Sequence, residues 1–125
     1  LWLQAAHESD AVVSSLYGGA EARLDAALAG STHALANGER LEASTTKPPA
    51  IIVDIDETIL DNDAFNARGV AKRYARFDES WFDCWGEEQQ ARAYAGAVRF
   101  LNTAVARGAV VFYVTHRREN QRKAV

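Results

Sequence analysis

The chain has 125 residues, of which 48% are hydrophobic and 25% charged, and its formal net charge is −3. This composition is typical of one ordinary globular domain. With a slightly acidic balance and no basic stripe, nothing in the sequence argues for a nucleic-acid surface. A single cysteine excludes an internal disulfide. A short basic group near the C-terminus fits a solvated helix face or a phosphate-side patch: Arg117, Arg118, Arg122 and Lys123.

Residues 1–41 are predicted to form an N-terminal helical segment. Apolar residues recur at steps of three and four over Leu1–Leu28, which is the spacing of one helix face. The pair Gly18-Gly19 is expected to weaken this helix and to favour a kink. A shorter helix is predicted over Thr32–Ala36. Residues 42–50 follow as a polar linker.

The next stretch carries the candidate chemistry. The run Ile51–Val53 is β-branched and contiguous, which predicts a strand buried on both faces. Asp54 falls at the carboxyl end of this strand, and Asp56 and Thr58 follow at two-residue steps. Ligands bind outside that end in open α/β sheets, and a charge so close to a buried run is costly unless it is paired or bound to metal. The pattern therefore predicts a functional site.

Two aspartates at this spacing suit phosphoryl transfer. One carboxylate can attack phosphorus to form an aspartyl-phosphate, while its neighbour protonates the leaving oxygen. Two anions this close repel each other and a phosphate group, and a hard cation such as Mg²⁺ removes that conflict. A solvated acidic loop without chemistry is the alternative. An EF-hand is excluded, because Ile59 stands at its glycine position and Phe65 at its bidentate glutamate position.

Residues 61–86 are predicted to form a small cap over the strand ends, because a normal crossover needs fewer residues. The segment is rich in aromatic residues. Such rings can stack on a nucleoside base or a phenyl leaving group, or they can form the cap's own core. Phe65 follows the acidic loop most closely and is our candidate for lining the pocket.

A helix is predicted over Glu87–Arg107, and Gly96 is a point at which it can break in two. Residues 109–114 then predict a second buried strand. Strand, crossover helix and strand indicate a parallel pair with a right-handed connection. The carboxyl ends of the two strands meet in such a pair, so Thr115 can face Asp54 and bind a phosphoryl oxygen.

These residues resemble known families. The sequence Asp54-Ile55-Asp56-Glu57-Thr58 resembles the first motif of the haloacid dehalogenase superfamily of aspartate-nucleophile phosphohydrolases. The longer run from Ile52 to Phe65 is similar to the signature of the bacterial class C acid phosphatases, with mild departures at Ile59 and Phe65. Thr115 resembles the second superfamily motif, a Ser or Thr at the end of a strand.

The resemblance implies an α/β fold: a partial doubly wound, Rossmann-like parallel sheet of the haloacid dehalogenase type, with N-terminal helices and a small helical cap. It implies that Asp54 attacks phosphorus and that Asp56 acts as general acid and base. It also implies that Mg²⁺ lies between the Asp54 carboxylate and the backbone carbonyl of Asp56. We expect Thr58, Thr115 and Phe65 to contact the substrate, a phosphomonoester such as a nucleoside monophosphate.

The resemblance covers nearly the whole chain but only the first part of the family's domain. Residues 51–125 correspond to the beginning of the core, and we expect its C-terminal part to be absent. A third motif, a lysine, and a fourth, a distal acidic strand end, are not found. We therefore expect the chain alone to bind Mg²⁺ weakly and to turn over poorly or not at all.

Location and partners follow from the resemblance alone. It implies a periplasmic or outer-membrane-associated protein, with a membrane link only through a lipid anchor that this chain would have lost.

Three interpretations stay open besides the monomeric phosphatase. One is a catalytically inactive fragment that serves as an interaction or storage module. The others are a phosphotransferase or mutase of the same superfamily, and a homodimer.

Overall fold

The computed structural model describes residues 7–29 and 47–124. The predicted helix at Thr32–Ala36 and most of the 42–50 linker lie outside these ranges. In chain order the elements are α1 (His7–Leu28), β1 (Ala50–Val53), β2 (Leu60–Asp61), α2 (Asp63–Ala71), α3 (Glu79–Glu88), β3 (Arg92–Ala93), α4 (Ala95–Ala106), β4 (Val110–Tyr113) and a 3₁₀ helix (Glu119–Ala124). None of the described helices is both long enough and apolar enough to cross a bilayer.

The centre of the fold is a parallel pair formed by β1 and β4, in which Val53 lies opposite Tyr113. Helix α4 connects the two halves of this unit and packs against α1 and β4. The predicted strand–helix–strand unit and the mixed α/β fold are therefore confirmed. The pairing continues beyond the strands, because the backbone N–H of Val114 donates to the carbonyl of Val53 at 2.9 Å. The residues that follow both strands are thus brought to one edge of the sheet.

The prediction that β1 is buried on both faces is wrong. Ile51 packs against the core under α4. Ile52, on the opposite face, is 75% exposed, and its register partner Phe112 is 54% exposed. Within the described residues this sheet contains no third strand, and the helices cover only the Ile51 face. Side chains alternate between the two faces of a strand, so every second apolar residue meets solvent.

Helix α1 runs unbroken through Gly18 and Gly19, which confirms the predicted helix over its described part. Leu24 of this helix packs with Ala104 and Ala109 in the main hydrophobic core. Glycine lowers helix propensity by about 1 kcal/mol relative to alanine. Burial of the apolar face of α1 against α4 outweighs that cost, since tertiary packing supplies most helical stability.

The helix predicted over Glu87–Arg107 is in fact two helices. Gln89 ends α3 in the left-handed region, with φ 52°. The chain then forms β3, which pairs antiparallel with β2 so that Ala93 lies opposite Leu60. Gly96, the predicted break, lies inside the first turn of α4. The helical periodicity of the sequence does not reveal this break, because the break is caused by the pairing of β3 with β2, a distant segment of the chain.

Helices α2 and α3 lie in the predicted cap segment 61–86, and α3 continues two residues beyond it. An aromatic cluster centred on Phe65 joins them. Its ring centroid lies 4.5 Å from that of Trp81 and 5.1 Å from that of Phe82. The side chain of Asp78 accepts a hydrogen bond from the backbone N–H of Trp81 at 3.1 Å, and this N-cap starts α3. The aromatic residues of this segment therefore serve mainly as the cap's own core.

The contact between α1 and α4 depends on a glycine. A Cβ atom built on Gly96 would lie 3.0 Å from Cβ of Tyr17. This close approach lets the Tyr17 hydroxyl donate a hydrogen bond to the backbone carbonyl of Thr58 in the acidic loop. An ion pair between Arg99 and Glu21, at 2.9 Å, supports the same helix pair.

We expect Gly96→Val to lower the free energy of unfolding by about 1–3 kcal/mol, because its methyl groups would push α1 away from α4. The matched control is Gly19→Val, since no described atom lies within 4 Å of a Cβ at Gly19. Urea denaturation of both variants measures the difference. Similar stability losses at the two positions would contradict the close-approach explanation.

Candidate active site

The loop after β1 folds around the backbone carbonyl of Ile55. The N–H groups of Thr58, Ile59 and Leu60 point to this oxygen at 3.4, 2.8 and 2.9 Å. The Ile55 side chain is buried, which anchors the loop to the protein. Glu57 closes the turn in the left-handed region, with φ 55°. The residues on either side of Ile55 are therefore held at defined positions just beyond β1.

Asp54 follows β1 directly, and its side chain is exposed. Within the described chain its side-chain contact is with Thr58, whose Oγ1 lies 3.5 Å from Asp54 Oδ2. That separation is long for an O–H···O hydrogen bond. The carboxylate is thus open to a ligand that approaches the carboxyl edge of the sheet.

The Asp56 carboxylate, in contrast, is held by two side chains. Asn62 Nδ2 donates to Oδ1 at 2.7 Å. Arg117 donates from Nε to Oδ2 at 2.9 Å and from Nη2 to Oδ1 at 2.6 Å. The Arg117 side chain is only 3% exposed. Burying a guanidinium costs solvation energy, which a bidentate pair with good geometry offsets.

Of the two predicted roles for Arg117, the solvated helix face is therefore wrong, and the phosphate-side patch stays a prediction. Its guanidinium carbon lies 5.1 Å from the ring centroid of Phe82. Its backbone N–H donates to Oγ1 of Thr115 at 3.0 Å, so Thr115 turns the chain back toward the acidic loop after β4. In the described chain the Thr115 hydroxyl hydrogen-bonds Arg117 rather than Asp54. Sequence reasoning missed this role, because the burial of Arg117 depends on a carboxylate that only tertiary folding brings near.

A cleft of about 270 Å³ opens beside Asp56. Phe77 and Phe82 line it from the cap, and His116 and Arg118 line it from the loop after β4. The carboxylates of Glu79 and Asp83 also line it and pair with Arg118, so the aromatic faces of the cleft suit a planar group. The cleft thus joins the cap to the edge of the sheet that carries the two aspartates.

Phe65, the predicted pocket residue, lies elsewhere. It is 5% exposed at the centre of the cap core. It borders a different hollow of about 280 Å³ on the cap, together with Tyr74 and Trp81. The rings that line the cleft are Phe77 and Phe82. Sequence spacing could not identify them, because it does not reveal which face of the cap meets the strand ends.

Two groups at the acidic loop, Glu57 and Tyr94, have raised pKa values. Burial raises the pKa of Glu57, and the charge of Asp56 adds to that shift, while a hydrogen bond from Asn62 opposes it. Burial also raises the pKa of Tyr94 to about 12, and the negative charge of Asp61 is the next cause. These groups therefore favour their protonated forms in the folded protein.

No group of three or more histidine, cysteine or carboxylate side chains in the described part of the chain is arranged to hold a metal ion. The Asp56 carboxylate is already bound by Arg117 and Asn62. The Asp54 carboxylate is open, and no described residue donates a hydrogen bond to the backbone carbonyl of Asp56. Two hard oxygen donors suit Mg²⁺, which uses few protein ligands and completes its shell with water and substrate phosphate. These residues therefore fit one side of a magnesium site.

Comparisons with known proteins point to one family. A family model described as HAD superfamily, subfamily IIIB (Acid phosphatase), matches residues 2–125. The chain is similar to the crystal structure of the class C acid phosphatase from Bacillus anthracis with tungstate bound, at 34% identity and a TM-score of 0.78, covering 99% of this chain and 46% of that one. A second structure of the Bacillus anthracis class C enzyme gives 33% identity, a TM-score of 0.78, and coverage of 98% and 46%. The chain spans a little under half the length of these relatives.

We expect Arg117→Leu to lower the free energy of unfolding by about 1–3 kcal/mol, because it leaves the partly buried Asp56 carboxylate short of donors. Arg122→Leu is the matched control. Arg122 and its partner Glu119 are 77% and 79% exposed, so its loss should cost less than about 1 kcal/mol. Urea denaturation monitored by circular dichroism measures both variants. Equal losses would show that the ion pair of Arg117 with Asp56 stabilises the fold no more than the exposed ion pair of Arg122 with Glu119.

Tyr94 generates a pH prediction. Its pKa is raised from the ordinary value of 10.0 to about 12, so the unfolded chain releases this proton first as the pH rises. Folding stability should therefore fall across that window, and the fall should be shallower in Tyr94→Phe. Ultraviolet absorbance of tyrosinate should show a step near pH 12 that Tyr94→Phe removes and the control Tyr74→Phe retains. A step that persists in Tyr94→Phe would contradict the assignment.

Proposed function

The chain belongs to the acid phosphatases of the HAD superfamily, subfamily IIIB, and from this premise we propose that it carries the nucleophile of a Mg²⁺-dependent phosphomonoesterase. The observation that carries the proposal is the pair of carboxylates at the end of β1. Asp54 is open to a ligand, while Asp56, two residues later, is held in a defined orientation. An open nucleophile beside an oriented proton carrier is the arrangement that phosphoryl transfer through aspartate needs.

In the first step an Asp54 carboxylate oxygen forms a bond to phosphorus. The bond between phosphorus and the leaving alkoxide oxygen breaks, and that oxygen takes the proton that Asp56 carries when it enters this step in its protonated form. In the second step water attacks the same phosphorus, Asp56 takes a proton from that water, and the bond to Asp54 breaks to release phosphate. Atoms and charge balance over the cycle, and both aspartates return to their starting states.

The hydrogen bonds indicate which oxygen of Asp56 exchanges the proton. Oδ1 receives hydrogen bonds from Asn62 and from Nε and Nη2 of Arg117. Oδ2 receives one hydrogen bond, from Nε of Arg117. A carboxylate oxygen has two lone-pair sites, so Oδ2 keeps room for a proton in transit.

Two threonines are positioned to bind the phosphoryl group. Thr115 Oγ1 accepts a hydrogen bond from the backbone N–H of Arg117, which leaves the hydroxyl proton for a phosphoryl oxygen. Thr58 lies next to Asp54 and can donate to the same group or orient it. Both hydroxyls sit just beyond the carboxyl ends of β1 and β4, where ligands of parallel sheets bind.

Phosphatases of this family generally use a divalent metal ion. The ligands proposed for Mg²⁺ are the Asp54 carboxylate and the backbone carbonyl of Asp56. When bound, the ion supplies positive charge that offsets the repulsion between Asp54 and the phosphate group.

The proposed substrates are small phosphomonoesters, including nucleoside monophosphates. This is supported by the aromatic rings of Phe77 and Phe82 in the cleft beside Asp56, which can contact a base or a phenyl group. A periplasmic or outer-membrane location is proposed from the likeness to class C enzymes alone.

A non-catalytic interaction module is the second candidate. It is favoured by the exposed apolar sheet residues, among them Ile52 and Phe112, and by the incomplete metal site in the described part of the chain. Large apolar surfaces on a protein commonly mark sites of association. The two candidates make different demands on Asp54, because only the enzyme needs its carboxylate.

We expect any hydrolysis of p-nitrophenyl phosphate by the chain to be slow and stimulated by Mg²⁺, and Asp54→Asn to reduce it about 10³-fold or more. Removing the nucleophile eliminates the covalent step, whereas Asp61→Asn removes an equal charge from β2, directly after the acidic loop, and should retain turnover. Release of p-nitrophenol with and without Mg²⁺ measures all three proteins.

The outcomes separate the candidates. Turnover that survives Asp54→Asn would contradict the proposed mechanism. Turnover that Asp54→Asn abolishes would favour the enzyme, whereas absence of turnover in every protein, including the unmodified chain at high concentration, would support an incomplete active site.

A further inference from the structure

A buried row of hydrogen bonds runs from the cap to Asp56. The indole Nε1–H of Trp85 donates to Oδ1 of Asn62 at 2.9 Å. Nδ2 of Asn62 in turn donates to Oδ1 of Asp56 at 2.7 Å. Trp85 is 2% exposed and Asn62 is 1% exposed, so water cannot substitute for either partner.

The chemistry of Trp85 determines the direction of the whole row. An indole N–H can only donate, so the oxygen of the Asn62 amide must face it. The amide NH₂ group must then face Asp56, where it meets an acceptor. A flipped amide would place two donors together at the buried Trp85 indole and two acceptors together at Asp56, so the Trp85 N–H would be left without an acceptor.

Helix α3 contacts Asp56 indirectly from a second side as well. Phe82 lies one helical turn before Trp85, and its ring packs on the guanidinium of Arg117. Arg117 and Asn62 both donate to Oδ1 of Asp56, at 2.6 and 2.7 Å. The plane of the carboxylate is therefore set by two donors, each of which is held by an aromatic residue of the same cap helix.

We propose that Asn62 is a positioning residue for Asp56, and that the Trp85 indole holds it in the working orientation. Asn62 does not touch the reacting atoms. It acts by supplying Oδ1 of Asp56 with a donor in addition to Arg117, which leaves Oδ2 with the single hydrogen bond from Nε of Arg117. Its catalytic consequence rests on the proposed function, but the geometric claim does not. A leucine of similar size would fill the same space without supplying the donor.

The test is nuclear magnetic resonance of the ¹⁵N-labelled 125-residue chain, which needs no turnover. In the unmodified protein we expect the Nδ2 protons of Asn62 to exchange with water at least about tenfold more slowly than those of Asn102, which is exposed on α4. We also expect the Arg117 Nε–H to be protected. Trp85→Phe keeps a ring but removes the donor, so it should abolish the protection of Asn62.

The decisive readout is the Arg117 Nε–H resonance, because it reports the orientation of Asp56. Asn62→Leu should shift this resonance and speed its exchange at least about tenfold. The control Asn102→Leu should leave it unchanged. An unaltered Arg117 resonance in folded Asn62→Leu would overturn the proposal.

The proposal can still be tested if the variants do not fold. If Trp85→Phe and Asn62→Leu both unfold, the exchange rates in the unmodified chain are the test. Asn62 Nδ2 protons that exchange as fast as those of Asn102 would then overturn the proposal. Hydrolysis plays no part in this test. A chain that never releases p-nitrophenol therefore leaves the inference intact, and a negative resonance result leaves the proposed phosphatase standing.

Discussion

The ion pair between Asp56 and Arg117 joins two loops that are 61 residues apart in the chain. Each loop follows one strand of the parallel pair, so the ion pair closes the edge of the sheet where ligands would bind. A buried guanidinium is unfavourable unless its donors are satisfied, and this one is satisfied by both carboxylate oxygens. The loops after β1 and β4 therefore form as a unit, because neither satisfies its charge alone.

The cap is part of this unit rather than an appended lid. Helix α3 supplies one ring that packs on Arg117 and one indole that bonds Asn62, and both of these residues bond Asp56. A change within the aromatic core can thus reach a carboxylate that the core does not touch. Helix α1 adds a further support through Tyr17 and the carbonyl of Thr58. Three separate segments of the chain consequently determine the shape of one acidic loop.

The local part of this arrangement could be predicted from sequence. A β-branched run, a crossover helix and a second apolar run indicated parallel strands with Asp54 at the carboxyl end of the first. The family resemblance identified the acid phosphatase family. The fate of Arg117 could not be predicted, because its burial depends on a carboxylate brought near by tertiary folding. The predicted burial of Ile52 was wrong, because an apolar run indicates which side chains a strand can bury but not whether another element covers them. The break between α3 and α4 depended on the pairing of two-residue strands, too short to leave a periodic signal.

The exposed sheet face has a consequence for how the chain behaves in concentrated solution. Residues 110–114 form the apolar run Val-Val-Phe-Tyr-Val, which has high β-propensity, no charge and no proline. Such segments add readily to strands of other molecules when an edge is open. Arg107 lies just before this run, and His116 and Arg117 lie just after it, but the pairing of Arg117 with Asp56 removes one flanking charge from the surface. The same contact that orders the acidic loop thus weakens the electrostatic protection of β4 against self-association.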